Sequence, residues 1–439
     1  MAQSFAGQAQ GFGLAILTQI ASSDWPDKFG LRKPMEKFLY KGSKTGFQIM
    51  TAAARQFGGG KSGGGKAVRL ASTAERGVFD LSLSDEQQMV RDSLSAFARE
   101  VIRPAAHDAD AAGAVPAELK AQAKDLGLVF YAVPEAMGGM AGEQTATTQM
   151  LALEDLGYGD FSIAASLFSA VSVANALTRW GSADQQQRYL PAFAGENPPE
   201  AALAVTEAAP LFDPMKLSTI ARSNGNGYVL NGEKAIVLNA ADAELFLVAA
   251  DTGSGVGLFI VEGGTPGLSL RALQGMGLKA AATHNLKLEN VQVAAANRIP
   301  ADSFDYQTFL DLGSLAWCAL AVGTAQAALD YVIDYCNDRV AFGEPISHRQ
   351  AVAFMVADIG IETEAMRLMT WRACALAEQG KPFHREAYLA RALCAEKAMK
   401  IGTDSVQLLG GHGFTKEHPV ERWYRDLRLL GVMHSGLHI

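Results

Sequence analysis

The hydrophobic period of this chain changes twice, and that restricts its fold more than any other property of the sequence. Val90, Leu94, Phe97 and Val101 share one face of a helix opened by a capping box, Ser84 with Gln87 three positions on. Pro104 is expected to stop the run. Helical segments continue to about Phe193, punctuated by Pro134, Gly138-Gly139 and Gly181. From about residue 200 the period falls to two. Residues 228–230, Asn231-Gly232 and residues 234–238 read as a hairpin with a tight turn, and 245–249, 258–261, 268–273 and 286–293 as further strands. Long helices return from about Phe304 to Leu430. This succession predicts an α+β fold with an N-terminal helical domain (80–199), a middle antiparallel β domain (200–301) and a C-terminal helical bundle (302–439). No internal repeat is evident.

Ahead of these lies a segment of different character. Residues 57–66 are Gly-rich and open a linker (57–79), preceded by a basic extension (1–56). Residues 1–66 hold 9 basic and 3 acidic side chains, whereas the whole chain carries a formal charge of −8. In the extension Trp25, Phe29, Leu31, Phe38, Leu39 and Phe47 alternate with Lys28, Arg32, Lys33, Lys37, Lys41 and Lys44. That mixture suits an amphipathic element docked on a membrane surface or on a partner, or equally a helical appendage packed on its own body. The acidic total argues against a nucleic-acid binder. Cys318, Cys336, Cys374 and Cys394 form no CxxC pair and follow no secretory signal, so reduced core thiols in a cytoplasmic protein are expected, with peripheral membrane contact through residues 1–56 as the variant. A chain of 439 residues needs neither disulfides nor a metal to fold. Residues 312–329 are uncharged and long enough to span a bilayer, but their Ala, Gly, Ser and Thr content reads as a buried bundle helix.

Three motifs could carry chemistry. Residues 339–350 (RVAFGEPISHRQ) lie between two predicted helices. Residues 407–415 (QLLGGHGFT) are followed by Glu417, Arg422 and Asp426. Residues 204–207 (AVTE) enter the β domain. Glycines beside an amide let a backbone approach a dinucleotide, and an arginine on a neighbouring loop can pair with its pyrophosphate. On spacing alone, Gly410-Gly411 is as readily a helix-ending turn and Arg339 an ion-pair partner. No GxGxxG follows a strand, so a nicotinamide-binding unit has no support.

At these residues, and over about 80–439, the sequence resembles the acyl-CoA dehydrogenase family of FAD-dependent flavoproteins. Gln407, Gly410, Gly411, Gly413, Phe414, Glu417, Arg422 and Asp426 meet its carboxy-terminal signature in register, and residues 126–139, 181–191 and 228–234 support it. The resemblance implies a dimer or tetramer, homo- or hetero-oligomeric, that binds FAD between subunits. Arg339, Phe342 and Gln350 match positions that hold the adenine-diphosphate half of a neighbour's FAD, with Gln407, Gly410 and Gly411 adding to that site, and Thr206 matches a threonine beside the flavin ring. It also implies oxidation of an acyl-CoA thioester to 2-enoyl-CoA, with an electron-transfer flavoprotein reoxidising the flavin.

Several positions depart from the family pattern. The seat of the usual catalytic glutamate holds His434, and the alternative seat on the first bundle helix holds Gly313, followed by Ser314. Phe212 replaces a serine, Ile236 a ring-stacking tryptophan, Leu238 a threonine, and Gly436 and His438 a cofactor-contacting threonine and glutamine. His434 is the candidate base, since imidazole titrates near neutrality; the other reading is that it only fills space. His412 and His418 are expected to be surface or loop residues. The functional hypotheses are therefore an acyl-CoA dehydrogenase with an altered site, a catalytically silent member that binds acyl-CoA or completes a partner's FAD site, and a flavin oxidase or monooxygenase on the same fold.

Overall fold

The computed structural model describes residues 82–141 and 146–439; the extension 1–56 and the linker 57–79 lie outside the described residues. The capping box forms, with Ser84 Oγ accepting from the Gln87 N–H at 3.1 Å, and opens α1 (Asp85–Phe97). Pro104 does not end this run. A π-helical turn, Ala98–Ile102, leads straight into α2 (Arg103–Ala112), and the Arg103 N–H reaches back to the Ala98 carbonyl. Proline is tolerated because it falls in the first turn of α2, where its missing N–H is not required. The helical domain continues through α3 (Ala117–Asp125), α4 (Ala146–Gly159), α5 (Phe161–Trp180) and α6 (Ala183–Phe193).

Seven strands follow: β1 (Ala201–Ala204), β2 (Ile220–Ser223), β3 (Gly227–Val237), β4 (Leu245–Asp251), β5 (Val256–Glu262), β6 (Leu268–Ala272) and β7 (His284–Ala294). They form one sheet in the order β1-β4-β2-β3-β7-β6, with β5 on β4. Two expectations are corrected here. The sheet is mixed rather than wholly antiparallel, since β4 runs parallel to β1 and β2. Asn231-Gly232 is not a hairpin turn but a bulge inside an 11-residue strand. The bulge is closed by Asn231 Oδ1, which accepts the N–H of Asn290 in β7 at 2.8 Å. Gly232 is required for a close approach: a Cβ there would lie 2.5 Å from Thr219 Oγ1. Because β3 does not fold back, β4 enters the sheet on the far side of β2.

Strands β1 and β4 are buried on both faces. Ala201, Leu203, Leu245, Leu247 and Ala249 pack against the helices, while Ala202, Ala204, Phe246, Val248 and Ala250 fill a second core inside the β domain. Their sequences are therefore apolar throughout rather than alternating.

The bundle comprises α7 (Tyr306–Asp338), a two-stranded hairpin (β8, Val340–Ala341; β9, Glu344–Pro345), α8 (Gln350–Glu378), α9 (His384–Leu409) and α10 (Val420–Leu427). Helices α5 and α7 are long and apolar enough to cross a membrane, yet 89% of each apolar window is buried in the protein. Close packing of α7 on α4 depends on glycine, since a Cβ on Gly323 would collide with the Glu154 carbonyl. All four cysteines are free and buried.

Candidate active site

The dinucleotide motifs meet at one exposed edge of the bundle. Arg339 caps α7 and Gln350 opens α8; both are exposed, and Arg339 has no ion-pair partner among the described residues. Between them Phe342 (φ 55°) and Gly343 (φ 84°) turn the β8–β9 hairpin through the left-handed region, leaving the Phe342 ring 94% exposed. Gln407 is exposed in the last turn of α9, and Gly410 (φ 58°) ends that helix. A Cβ on Gly410 or Gly411 would meet nothing within 4 Å, so these glycines leave open space beside the chain. Tyr335, in the last turn of α7, joins the two motifs through a 2.8 Å hydrogen bond between its hydroxyl and His412 Nδ1. His412 and His418 lie in the connection between α9 and α10, as expected of loop residues, but they are not free. They are half-buried and stacked with ring centroids 5.3 Å apart, and His418 Nδ1 is held by the Tyr331 hydroxyl at 2.6 Å.

The charged end of the signature serves the fold. Arg422 Nε donates to buried Asp160 at 2.8 Å, and Asp160 also caps α5. Asp426 accepts the Leu278 N–H at 2.8 Å; burial, then the charge of Asp160, pushes its carboxyl up to about 8. Both residues tie the bundle to other domains.

The ring side of the site is built on β1 and β3. Thr206 follows β1 and is buried, its carbonyl accepting the Ala235 N–H at 2.8 Å. Next to it Glu207 pairs with fully buried Lys234 at 2.8 Å and accepts the Ser218 and Thr219 N–H groups. Burial pushes the Lys234 ammonium down to about 8; although burial works against it too, Lys234 and these donors hold Glu207 below the usual carboxylate range. This pair fixes the loop that carries Phe212. Its two members are recognisable in the sequence, but their pairing is not. Ile236, in the ring-stacking position, sits at φ 54° in a second bulge of β3, and Leu211 at φ 53°. Left-handed backbone at a β-branched residue is costly and tends to mark functional sites.

His434 lies in the segment after α10, half-buried, with Phe212 edge-on at 5.9 Å. Its Nε2 is 3.3 Å from Nη2 of Arg391 on α9, a residue the sequence gave no reason to single out. Burial and then Arg391 push the imidazole down to about 4. A guanidinium can only donate, so Nε2 must carry the lone pair and Nδ1 the hydrogen. Neutral His434 thus presents an N–H, and its lone pair is already engaged. The alternative carboxylate seat is closed: a Cβ on Gly313 would lie 2.9 Å from the Leu437 carbonyl, and Ser314 Oγ donates to the His434 carbonyl at 3.4 Å. His438 faces the core, caged by Trp180 and Phe309 with centroids 4.9 and 5.3 Å away, and both its ring nitrogens lack partners.

Three family models match in chain order: the acyl-CoA dehydrogenase N-terminal domain over residues 84–197, the middle domain over 202–291 and the C-terminal domain over 305–434. The chain belongs to the acyl-CoA dehydrogenase family. It is 36% identical over 360 residues to cyclohex-1-ene-1-carbonyl-CoA dehydrogenase of Geobacter metallireducens, covering 80% of this chain and 94% of that one. It is 33% identical over 373 residues to the human mitochondrial short-chain specific acyl-CoA dehydrogenase, covering 80% and 87%. Among solved structures, butyryl-CoA dehydrogenase from Megasphaera elsdenii superposes with a TM-score of 0.74 at 30% identity, covering 81% and 96%. An FAD complex of PigA gives 0.74 at 26%, also covering 81% and 96%.

FAD is the family's cofactor, and the two halves of its site fit it unequally. The exposed arginine, aromatic ring, amides and open glycines of the bundle edge suit an adenine diphosphate. On the ring side Phe212, Ile236 and Leu238 offer apolar contact only, leaving Thr206 as the matching polar side chain.

Proposed function

We propose that this protein is an FAD-dependent acyl-CoA oxidoreductase that desaturates an acyl-CoA thioester between Cα and Cβ and passes the electrons to an electron-transfer flavoprotein. The open dinucleotide edge carries this reading: Arg339, Phe342, Gln350, Gln407, Gly410 and Gly411 keep both the family residue types and the space to use them. When bound, FAD supplies the acceptor for the β-hydride. Arg339 would pair with the pyrophosphate, Phe342 and the two glutamines would seat the adenine half of a neighbour's cofactor, and Thr206 would face the ring. His434 can accept the α-proton only through Nε2, and only after that nitrogen parts from Arg391.

That contact, together with Phe212, favours a second reading in which the chain is a silent subunit completing a partner's FAD site. Two measurements separate the readings. The chain purified alone should hold close to one FAD, and acyl-CoA should bleach it anaerobically. His434→Ala should abolish the bleaching and leave FAD in place. A colourless chain that gains flavin only with a second family member would overturn the enzyme reading. Cytoplasmic location and membrane contact through residues 1–56 remain proposals. For the second, deleting residues 1–66 should release the protein from the sedimenting fraction at low salt.

A further inference from the structure

Arg391 is a half-buried cation on α9 with no carboxylate partner among the described residues. Its Nη2 donates to the Met433 carbonyl at 3.2 Å and to His434 Nε2 at 3.3 Å, and reaches the Gly431 carbonyl at 3.5 Å. Its Nε is buried with no hydrogen-bond acceptor. Cys318 and Tyr388 lie near it, but neither is a carboxylate. From the loop side Asp213 acts on His434, and it faces Lys216 at 3.6 Å. Four other buried or half-buried arginines have carboxylate partners, Arg91 with Asp155, Arg367 with Glu154, Arg422 with Asp160 and Arg425 with Asp110. Arg103 and Arg298 have none among the described residues and donate to the Tyr158 carbonyl and the Tyr228 hydroxyl, and what sets Arg391 apart from them is its contact with His434. An uncompensated guanidinium with an orphaned N–H is costly to fold unless a ligand supplies the anion.

His434 adds to the donor set. With its Nε2 held by Arg391, the ring turns an Nδ1–H rather than a lone pair away from that contact. The pair at the base seat therefore donates where the family's residue accepts, with the ring of Phe212 edge-on beside it. Charge-assisted hydrogen bonds gain strength in such surroundings.

We propose that Arg391 and His434 form a carboxylate-recognition pair that selects acyl-CoA thioesters bearing a second carboxylate on the α-carbon or the carbon next to it. The inference rests on the reading that acyl-CoA binds at this site, because the seat that His434 occupies faces the acyl α-carbon in that reading.

Calorimetric titration of the full-length chain with methylmalonyl-CoA, succinyl-CoA and butyryl-CoA tests it. At least one dicarboxylic thioester should bind tenfold or more tighter than butyryl-CoA. Arg391→Met should cancel that preference while leaving the butyryl-CoA Kd within about twofold, since one hydrogen-bonded charge pair is worth at least a factor of ten. Equal affinity for all three thioesters, or a preference that survives Arg391→Met, overturns the proposal and leaves the acyl-CoA reading standing. So does a variant with a lowered Tm and an unchanged preference, which would make Arg391 only a cap on the carbonyls of residues 431 and 433. Should Arg391→Met not fold, His434→Phe provides the second variant: it removes the Nδ1–H, keeps the ring, and should reduce the preference at least threefold. Failure of every thioester to bind would overturn the acyl-CoA reading itself, and this inference with it.

Discussion

The exposed bundle edge and the buried ring side match the two halves of the family's cofactor site, yet they differ in nearly every physical respect. At the edge, side chains point outward, glycines border open space, and the residue types follow the family. On the ring side, the positions that the resemblance gives to a serine, a tryptophan and a threonine hold Phe212, Ile236 and Leu238, and His434 is clasped by an arginine. The edge is assembled from helix ends whose packing is set elsewhere, so its residues are free to serve a ligand. The ring side is woven into the core, where each substitution changes packing as well as chemistry. One half of such a site can therefore persist while the other is rebuilt.

This contrast can be broken or sharpened by substitution. The largest effect should come from the signature residue that faces inward. Arg422→Met strands the Asp160 carboxylate in the core, and urea unfolding should show a loss of about 3–5 kcal/mol; a loss below about 1 kcal/mol would mean that this arginine does not join the domains. At the closed alternative seat, Gly313→Ala should cost about 1–3 kcal/mol through its clash with Leu437. A tolerated alanine would reopen that seat for a carboxylate.

Acid should act on the tail that carries both unusual histidines. Burial pushes His438 down to about 3 and His434 to about 4, both below their unfolded value of about 6.5. In each case the unfolded chain binds the proton more readily. The stability they contribute is full above pH 6.5 and is lost as pH falls toward 3. His438→Phe should flatten the acid limb of a Tm–pH profile without abolishing it, because His434 titrates with the same sign. An unchanged limb would show that His438 is not held neutral.

The smallest change in stability belongs to the edge. Gly411→Ala should alter it by less than about 0.5 kcal/mol, yet weaken FAD retention, read from flavin absorbance after gel filtration, by about tenfold. Unaltered retention would remove Gly411 from the cofactor site.

The sequence by itself determined the order of helical, β and helical segments, because burial on one face or two imposes a period that survives in any context. Through the family resemblance it also marked the residues of the bundle edge, which the structure brings together by local geometry: glycines at a helix end, a turn with left-handed residues, an arginine cap. It marked the base seat as altered, since His434 stands where a carboxylate is usual. Tertiary structure decided the rest. Asn231-Gly232 has the composition of a turn, but pairing with β7 and the approach of Thr219 keep it in a strand. Pro104 has the composition of a stop, but a π turn carries the helix past it. Arg391 lies 43 residues from His434 along the chain, and neither side chain announces the other. Only packing α9 against the tail sets a cation beside that imidazole.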